Sequence, residues 1–289
     1  MLNINLFSIL FFFFINILFS QVKINSLIQI KYPSEIKLDK YYFSKIELNN
    51  FNDIYLLDRF SSKIILFKIN ENEVVYSNGL SLSNQLNATF FDISVNLGLE
   101  IFATDLDNHK VYMFDKKLNF LNSLNFDNSD NNIEFPKDIE TNSYGHLWVS
   151  SDSKNSLYKI NFNGDILNEI YGNSFHSFFG IKEFDLNKYN EIGLIDNKNT
   201  LIQLNDNGRF MWEKTFDFNI TTINEYRKGW ILISEDNEIL YIDNRTLKFS
   251  KIINNNKLDI VDIYIKKNKI YFLTKNNLIF TGFIDYEPY

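Results

Sequence analysis

Phe135-Pro136-Lys137-Asp138-Ile139, then Tyr144-Gly145-His146-Leu147-Trp148-Val149-Ser150-Ser151-Asp152, then Leu157-Tyr158-Lys159-Ile160-Asn161-Phe162-Asn163-Gly164-Asp165: this stretch is the clearest of six copies of one pattern. Each copy reads as an apolar strand, a turn, a second strand closed by Asp or Ser, a third strand, and an Asn/Asp/Gly turn. The residue that opens the second strand is Tyr55, Phe102, Trp148, Gly193, Ile231 and Tyr271 in turn, at intervals of 47, 46, 45, 38 and 40. Runs of four or five Val, Ile, Leu, Phe and Tyr between polar turns are strand signals. No segment sustains the 3.6-residue apolar period of a helix. A period of about 40 to 50 residues built only from short strands marks propeller blades. The sequence therefore predicts an all-β fold: a single six-bladed β-propeller of four-stranded blades.

Outward from the third copy, first strands are expected to begin near Phe43, Phe91, Pro136, Gly180, Thr222 and Asp259. Asn163-Gly164 and Asn207-Gly208 fall between third and fourth strands, where a tight hairpin needs the positive φ that Asn and Gly tolerate. The last copy is short, with only a few residues after Phe280. Lys23 to Tyr32 is strand-like and precedes the first full copy. This segment is expected to complete the last blade and close the ring, which leaves no open sheet edge at the seam.

The chain has 289 residues, 45% of them apolar, so core is not limiting. A net charge of -7 argues against nucleic acid or an anionic membrane as partner, since both are bound through excess Lys and Arg. The absence of cysteine removes disulfides, thiolate metal sites and a thiol nucleophile together. Leu6 to Phe19 is interrupted only by Ser8 and Asn16 and is followed by Ser20-Gln21. It reads as residues 1–20 of signal peptide, cut after Ser20, ahead of a propeller over 21–289. If uncut it is a membrane anchor and the only membrane contact. The expected location is periplasmic or extracellular.

Gly145 before the second strand, the upstream Pro136-Lys137-Asp138-Ile139, and the Asp or Ser that closes the strand resemble the NHL repeat. More broadly, residues 43 to 285 resemble the six-bladed, TolB-like propellers exported by bacteria. The likeness is strongest in the third copy. In the first, fifth and sixth copies Gly145 has no counterpart, or only the approximate one of Gly229. Such propellers include protein-binding and RNA-binding modules, lyases and ring-opening hydrolases, so the resemblance implies architecture and leaves the activity open.

First strands are innermost in a propeller, so their polar residues have a route to the central channel. The candidates are Glu47, Ser94, Glu140, Lys182, Asn224 and Asp262, with Asp92 and Asp138 at the entry of two strands. The resemblance implies that a catalytic member would hold an axial metal, and calcium suits such oxygen donors, although Lys182 offsets part of their charge. The reading assigns no resident metal, no cofactor and no catalytic residue. His109, His146 and His176 occupy three different repeat positions and are not expected to converge. Asp58, Asp105, Asp152, Asp196 and Asp236 recur once per blade and are read as turn formers. No Ser-His-Asp order, Gly-rich phosphate loop or His-Glu-x-x-His segment is present. Blade-to-blade connections usually carry specificity, which directs attention to Asn131 and Asn132 in one and to Phe175, His176 and Phe178 in another. The function expected on these grounds is a monomeric, non-catalytic scaffold binding protein or glycan. The alternatives are a metal-assisted lyase or hydrolase in the channel and a periplasmic envelope-assembly component.

Overall fold

A computed structural model describes residues 22–33, 36–77, 88–96, 100–126, 133–172, 178–252 and 257–286. The chain opens with β1 (Val22–Ile30) and a single 3-10 turn at Leu38–Lys40. Blade 1 is β2 (Phe43–Leu48), β3 (Ile54–Asp58), β4 (Lys63–Lys68) and β5 (Glu73–Tyr76). Blade 2 is β6 (Phe90–Val95), β7 (Ile101–Asp105), β8 (Lys110–Phe114) and β9 (Phe120–Asn125). Blade 3 is β10 (Pro136–Thr141), β11 (Leu147–Ser151), β12 (Ser156–Ile160) and β13 (Ile166–Tyr171). Blade 4 is β14 (Ile181–Leu186), β15 (Ile192–Asp196), β16 (Thr200–Leu204) and β17 (Phe210–Thr215). Blade 5 is β18 (Ile220–Tyr226), β19 (Gly229–Ser234), β20 (Ile239–Asp243) and β21 (Phe249–Ile252). Blade 6 takes β22 (Ile260–Lys266), β23 (Lys269–Thr274) and β24 (Ile279–Tyr286) from the end of the chain and β1 from its beginning. All pairing is antiparallel, and β1 lies against β24 from Val22 opposite Tyr286 to Ile30 opposite Ile279. The expected six blades and the closure by an N-terminal strand are both present.

The core lies between blades. Tyr55, Leu57, Ile64 and Leu66 of blade 1 pack against Phe90, Ile93 and Ile101 of blade 2. Across the seam, Tyr271, Leu273 and Ile279 of blade 6 join Ile46, Leu56 and Ile65 of blade 1. Second strands touch apolar neighbours on both faces, which is why they read as unbroken apolar runs; all five residues of β3, β7, β11 and β15 are buried. The outer strand β17 alternates, half-buried and exposed residues taking turns.

Gly193, the one small residue among the six strand openers, leaves its volume to blade 5. A Cβ on Gly193 would sit 2.7 Å from the Trp230 indole, whose Nε1 donates to Gln203 Oε1 at 3.0 Å. The turn chemistry is equally local. Asn49 Oδ1 accepts from the backbone N–H of Phe51 and Asp53, and Asn142 and Asn187 repeat the arrangement in blades 3 and 4. Asp58, Asp105 and Asp196 cap the loops after their strands. In blades 3 and 5 that duty falls to Ser151 and Ser234, one or two residues before the expected Asp152 and Asp236.

Three outcomes follow from this packing. Deleting residues 22–32 removes a whole strand of blade 6 together with the buried Val22, so the truncated chain loses its cooperative thermal transition by circular dichroism. Trp148→Ala costs roughly 3–5 kcal/mol in urea unfolding, as for any fully buried Trp, and Gly193→Ala costs about 1–3 kcal/mol by overpacking.

Candidate functional site

Every first strand carries a pairing irregularity just after its first residue: between Phe43 and Lys45, Phe90 and Ile93, Pro136 and Ile139, Ile181 and Glu183, Ile220 and Thr222, and Ile260 and Asp262. A bulge of this kind resets which residues face the axis. Beyond it the strands run in phase and present two polar rings. The inner ring is Lys45, Asp92, Asp138, Glu183, Thr222 and Asp262. The mouth ring is Glu47, Ser94, Glu140, Asp185, Asn224 and Tyr264, and all six of these line one cavity of about 310 Å³. Between the two rings stands a buried apolar residue in every blade: Ile46, Ile93, Ile139, Phe184, Ile223 and Ile263.

The rings begin as clasps. An innermost strand has a sheet neighbour on one side only, so its other N–H groups need side-chain acceptors. Asp92 Oδ2 accepts from Ile139 N of the next blade at 2.9 Å, and Asp262 Oδ2 accepts from Ile46 N at 2.9 Å. Asp185 Oδ2 accepts from Glu225 N at 2.6 Å, Asn224 Oδ1 from Ile265 N at 3.1 Å and Ser94 Oγ from Thr141 N at 3.1 Å.

Lys45 closes the inner ring. Its ammonium crosses from blade 1 to Glu183 of blade 4, donating to Oε1 at 2.7 Å, and lies 3.7 Å from Asp92 Oδ1. Burial pulls the Lys45 ammonium down, but the charges of Asp92, Glu183 and Asp262 outweigh it and hold it well above the ordinary lysine value. Asp138 accepts from Ser150 Oγ at 3.1 Å and has Lys137 Nζ at 3.9 Å. Among the described residues no group of three or more His, Asp and Glu is arranged to hold a metal. The place between the inner carboxylates is taken by the Lys45 ammonium.

The mouth ring is less completely satisfied. Glu140 accepts a single bond, from Ser94 Oγ at 3.3 Å, and no described residue donates to Glu47. Burial, then the Asp262 charge, pushes the Glu47 carboxyl well above the usual range. Burial, then the charges of Asp185 and Glu47, does the same to Glu140. Asp185 is pushed up to about 7, chiefly by burial. Tyr264 donates its hydroxyl to Leu48 O at 3.0 Å, and burial followed by the Glu47 and Glu140 charges raises it well above an ordinary tyrosine. The cavity wall also includes Glu225, whose carboxyl burial raises, and Asn142, Ser143, Asn187, Lys188 and Asn190.

Of the channel residues read from the sequence, Glu47, Glu140 and Asn224 meet in the mouth ring, and Asp92, Asp138 and Asp262 in the inner one. Lys182 belongs to neither. The bulge turns it out of the channel toward Asn199 and Asn219, and Glu183 and Asp185 face the axis in its blade. Sequence reading also passed over Lys45 and Tyr264. A signal for all of them exists: a polar residue, a buried Ile or Phe, and a second polar residue, once per blade from Lys45-Ile46-Glu47 to Asp262-Ile263-Tyr264. Phe178 is not on a binding face; it is 2% exposed and packs with Trp148 and Leu157. Asn131, Asn132, Phe175 and His176 lie outside the described residues. His109 Nδ1 accepts from Phe135 N at 2.9 Å, far in sequence from any ring residue of its own blade, and neither it nor His146 lines the cavity.

No family model and no curated protein matches the sequence. Solved structures do. A streptogramin B lyase superposes with a TM-score of 0.63 at 14% identity, covering 84% of this chain and 78% of that one. A selenomethionine-substituted virginiamycin B lyase from Staphylococcus aureus gives 0.64 at 11% identity, covering 89% and 99%. A catalytically inactive histidine-to-alanine variant of the latter enzyme, with quinupristin, gives 0.63 at 12%, covering 83% and 80%. At such identities the likeness carries the fold: a six-bladed propeller similar to those of virginiamycin B lyases, with membership of the NHL or TolB-like groups not borne out. The expectation of a non-catalytic binding scaffold is corrected by these comparisons, because the propellers that this one is similar to are enzymes.

The ionisation of the rings sets a pH dependence. Burial raises Asp138 and Glu183 to about 7 and Asp262 to about 6, with Asp185 already placed at about 7. Carboxyls raised on folding stabilise fully below their unfolded value, roughly 4, and that contribution is lost as pH rises through 6 to 7. The melting temperature is therefore expected to be higher at pH 5 than at pH 8 in differential scanning calorimetry. Lys45→Met leaves the inner carboxylates without their cation and is expected to cost roughly 3–5 kcal/mol at pH 8. The loss should shrink at pH 5, where protonation removes the uncompensated charge.

Proposed function

We propose that the protein is an enzyme of the lyase type, working by proton transfer at the mouth of the central channel. The observation that carries this reading is the convergence in one cavity of Glu47, raised by burial and the Asp262 charge, and Glu140, raised by burial and the charges of Asp185 and Glu47. Two carboxyls whose ionisations oppose each other share protons, so that near neutrality one is an acid while the other is a base. An elimination needs those two roles: a base that takes a proton from carbon and an acid that protonates the leaving group. Glu47, which accepts no hydrogen bond from any described residue and is kept neutral by burial, is the acid; Glu140, whose ionised form Ser94 Oγ stabilises by donating to it, is the base. Tyr264 and Asn224 wall the cavity beside them.

Elimination is favoured over hydrolysis through a covalent intermediate by what the wall lacks. Ser143 Oγ is engaged with Asn190 Oδ1 at 2.9 Å and Ser94 Oγ with Glu140, and no described histidine lines the cavity to act as base. The structurally similar virginiamycin B lyase is catalytically inactive when a histidine becomes alanine. In this chain the acid–base work falls to carboxylates instead.

Quinupristin is the first substrate to try, because it accompanies one of the similar propellers. Elimination leaves the summed mass of the products equal to that of the substrate, whereas hydrolysis adds one water, so mass spectrometry distinguishes the two. Glu47→Gln and Glu140→Gln are each expected to lower the rate at least about 100-fold, the usual worth of a general acid or base, without lowering the melting temperature. The acid–base reading is overturned if infrared difference titration against these variants places both carboxyls at the ordinary glutamate value.

A further inference from the structure

The first strands begin at the end of the channel opposite the mouth, and the loops that join second to third strands open on that same side, because Phe43 pairs with Asp58, Pro136 with Ser151 and Ile181 with Asp196. Arg59 stands in the first of these loops. Its guanidinium lies 3.7 Å from the Phe91 ring centroid, and its Nε donates to Phe91 O at 3.0 Å. Stacking and one hydrogen bond thus fix a half-buried arginine, while no described residue accepts from Nη1 or Nη2 and no described carboxylate pairs with it. Asp58, its neighbour in sequence, is engaged in its own turn, accepting from Phe60 N, Ser61 N and Ser61 Oγ. A guanidinium held flat in this way is preorganised to take a carboxylate through its two free nitrogens.

Two apolar rings stand beside it. Phe60, 85% exposed, and Tyr42, 68% exposed, meet edge to face with centroids 5.7 Å apart. Positive charge continues round the entrance. Lys137 Nζ lies 5.8 Å from the same Phe91 ring and donates to Ile181 O of blade 4 at 2.9 Å, with Asp138 and Asp152 each 3.9 Å away. Lys182, at the same position of the next blade, donates to Asn199 and Asn219 and has no ion pair among the described residues. A chain of net charge -7 therefore gathers three cations, two of them without an acidic partner, around one opening.

Exposed aromatic rings beside an arginine are the side chains that anchor protein interfaces. We propose that this entrance face docks an acidic segment of another protein, with one carboxylate in the Arg59 fork and a neighbouring apolar side chain on the Tyr42–Phe60 pair. Lys137 and Lys182 attract the carboxylates that follow. A second copy of this chain fits less well, since two such faces would bring like charges together, and a small anion leaves both exposed rings unused. The face lies across the disc from Glu47 and Glu140 and does not depend on the acid–base reading.

The test is fluorescence anisotropy of the full chain with a labelled peptide of alternating glutamate and phenylalanine, against a control peptide with glutamine in place of every glutamate. The acidic peptide is expected to bind at least about tenfold more tightly, and the difference to narrow as salt rises from about 0.05 to 0.3 M. Arg59→Lys keeps the charge but removes the planar fork, and Phe60→Ser removes a ring that no core cluster includes. Each should weaken the acidic peptide about three- to tenfold without lowering the melting temperature. Lys116→Gln removes an exposed charge from the mouth side and should leave the affinity unchanged. Equal affinity for the two peptides, binding of neither, or an affinity that Arg59→Lys leaves untouched overturns the proposal. So does an affinity that Phe60→Ser leaves untouched, which marks a small-anion site only. Self-association in analytical ultracentrifugation that Arg59→Lys abolishes also overturns it, by placing a second copy on this face.

Discussion

The innermost strand of a blade has one hydrogen-bonding neighbour and faces a hole with its other side. That constraint organises the molecule. Backbone N–H groups turned toward the axis need acceptors, and four blades supply them to the next through short polar side chains: Asp92 to Ile139, Asp262 to Ile46, Asp185 to Glu225, Asn224 to Ile265. The channel is lined with carboxylates first because the ring needs holding together. Their chemistry is a second use of the same groups.

This origin explains the contrast between the two rings. At the inner level one ammonium spans the axis from Lys45 to Glu183 and offsets part of the charge of Asp92, Glu183 and Asp262. Glu47 and Glu140 sit two residues further along their strands, where no described cation forms an ion pair with either, and burial raises both well above the usual carboxyl range. Reactive groups in a rigid frame are often the ones that the frame does not use.

The blades, their period and the closing strand were legible in the sequence because each rests on local pattern: apolar runs, Asn-Gly turns, a short last copy preceded by a spare strand. Ring membership was legible in Glu47, Asp92, Asp138, Glu140, Asn224 and Asp262 but slipped in blade 4, because a bulge near the start of the first strand shifts the alternation by one residue. Counting from Gly180 brings Lys182 to the axis; counting from the paired Ile181 past the bulge brings Glu183 and Asp185. Phe178 was misplaced for a different reason: an aromatic in a connection looks like a contact residue until the neighbouring blade is seen to cover it. The buried, unpaired amide of Asn142 was readable only by comparison, since histidine stands four residues on where Asn49, Asn96 and Asn187 each have an acid to donate to.

Sealing the ring with β1 has a kinetic side. Asn25 and Asp285, joined across the seam, are 260 residues apart in sequence. The first strand to leave the ribosome therefore waits, unpaired along an edge, for the last one to arrive. Contacts this distant slow folding, and exposed edges recruit strands from other molecules meanwhile. A chain built this way gains from being kept extended until synthesis is complete, and its yield should depend more on what shields it in that interval than on the stability of the finished disc.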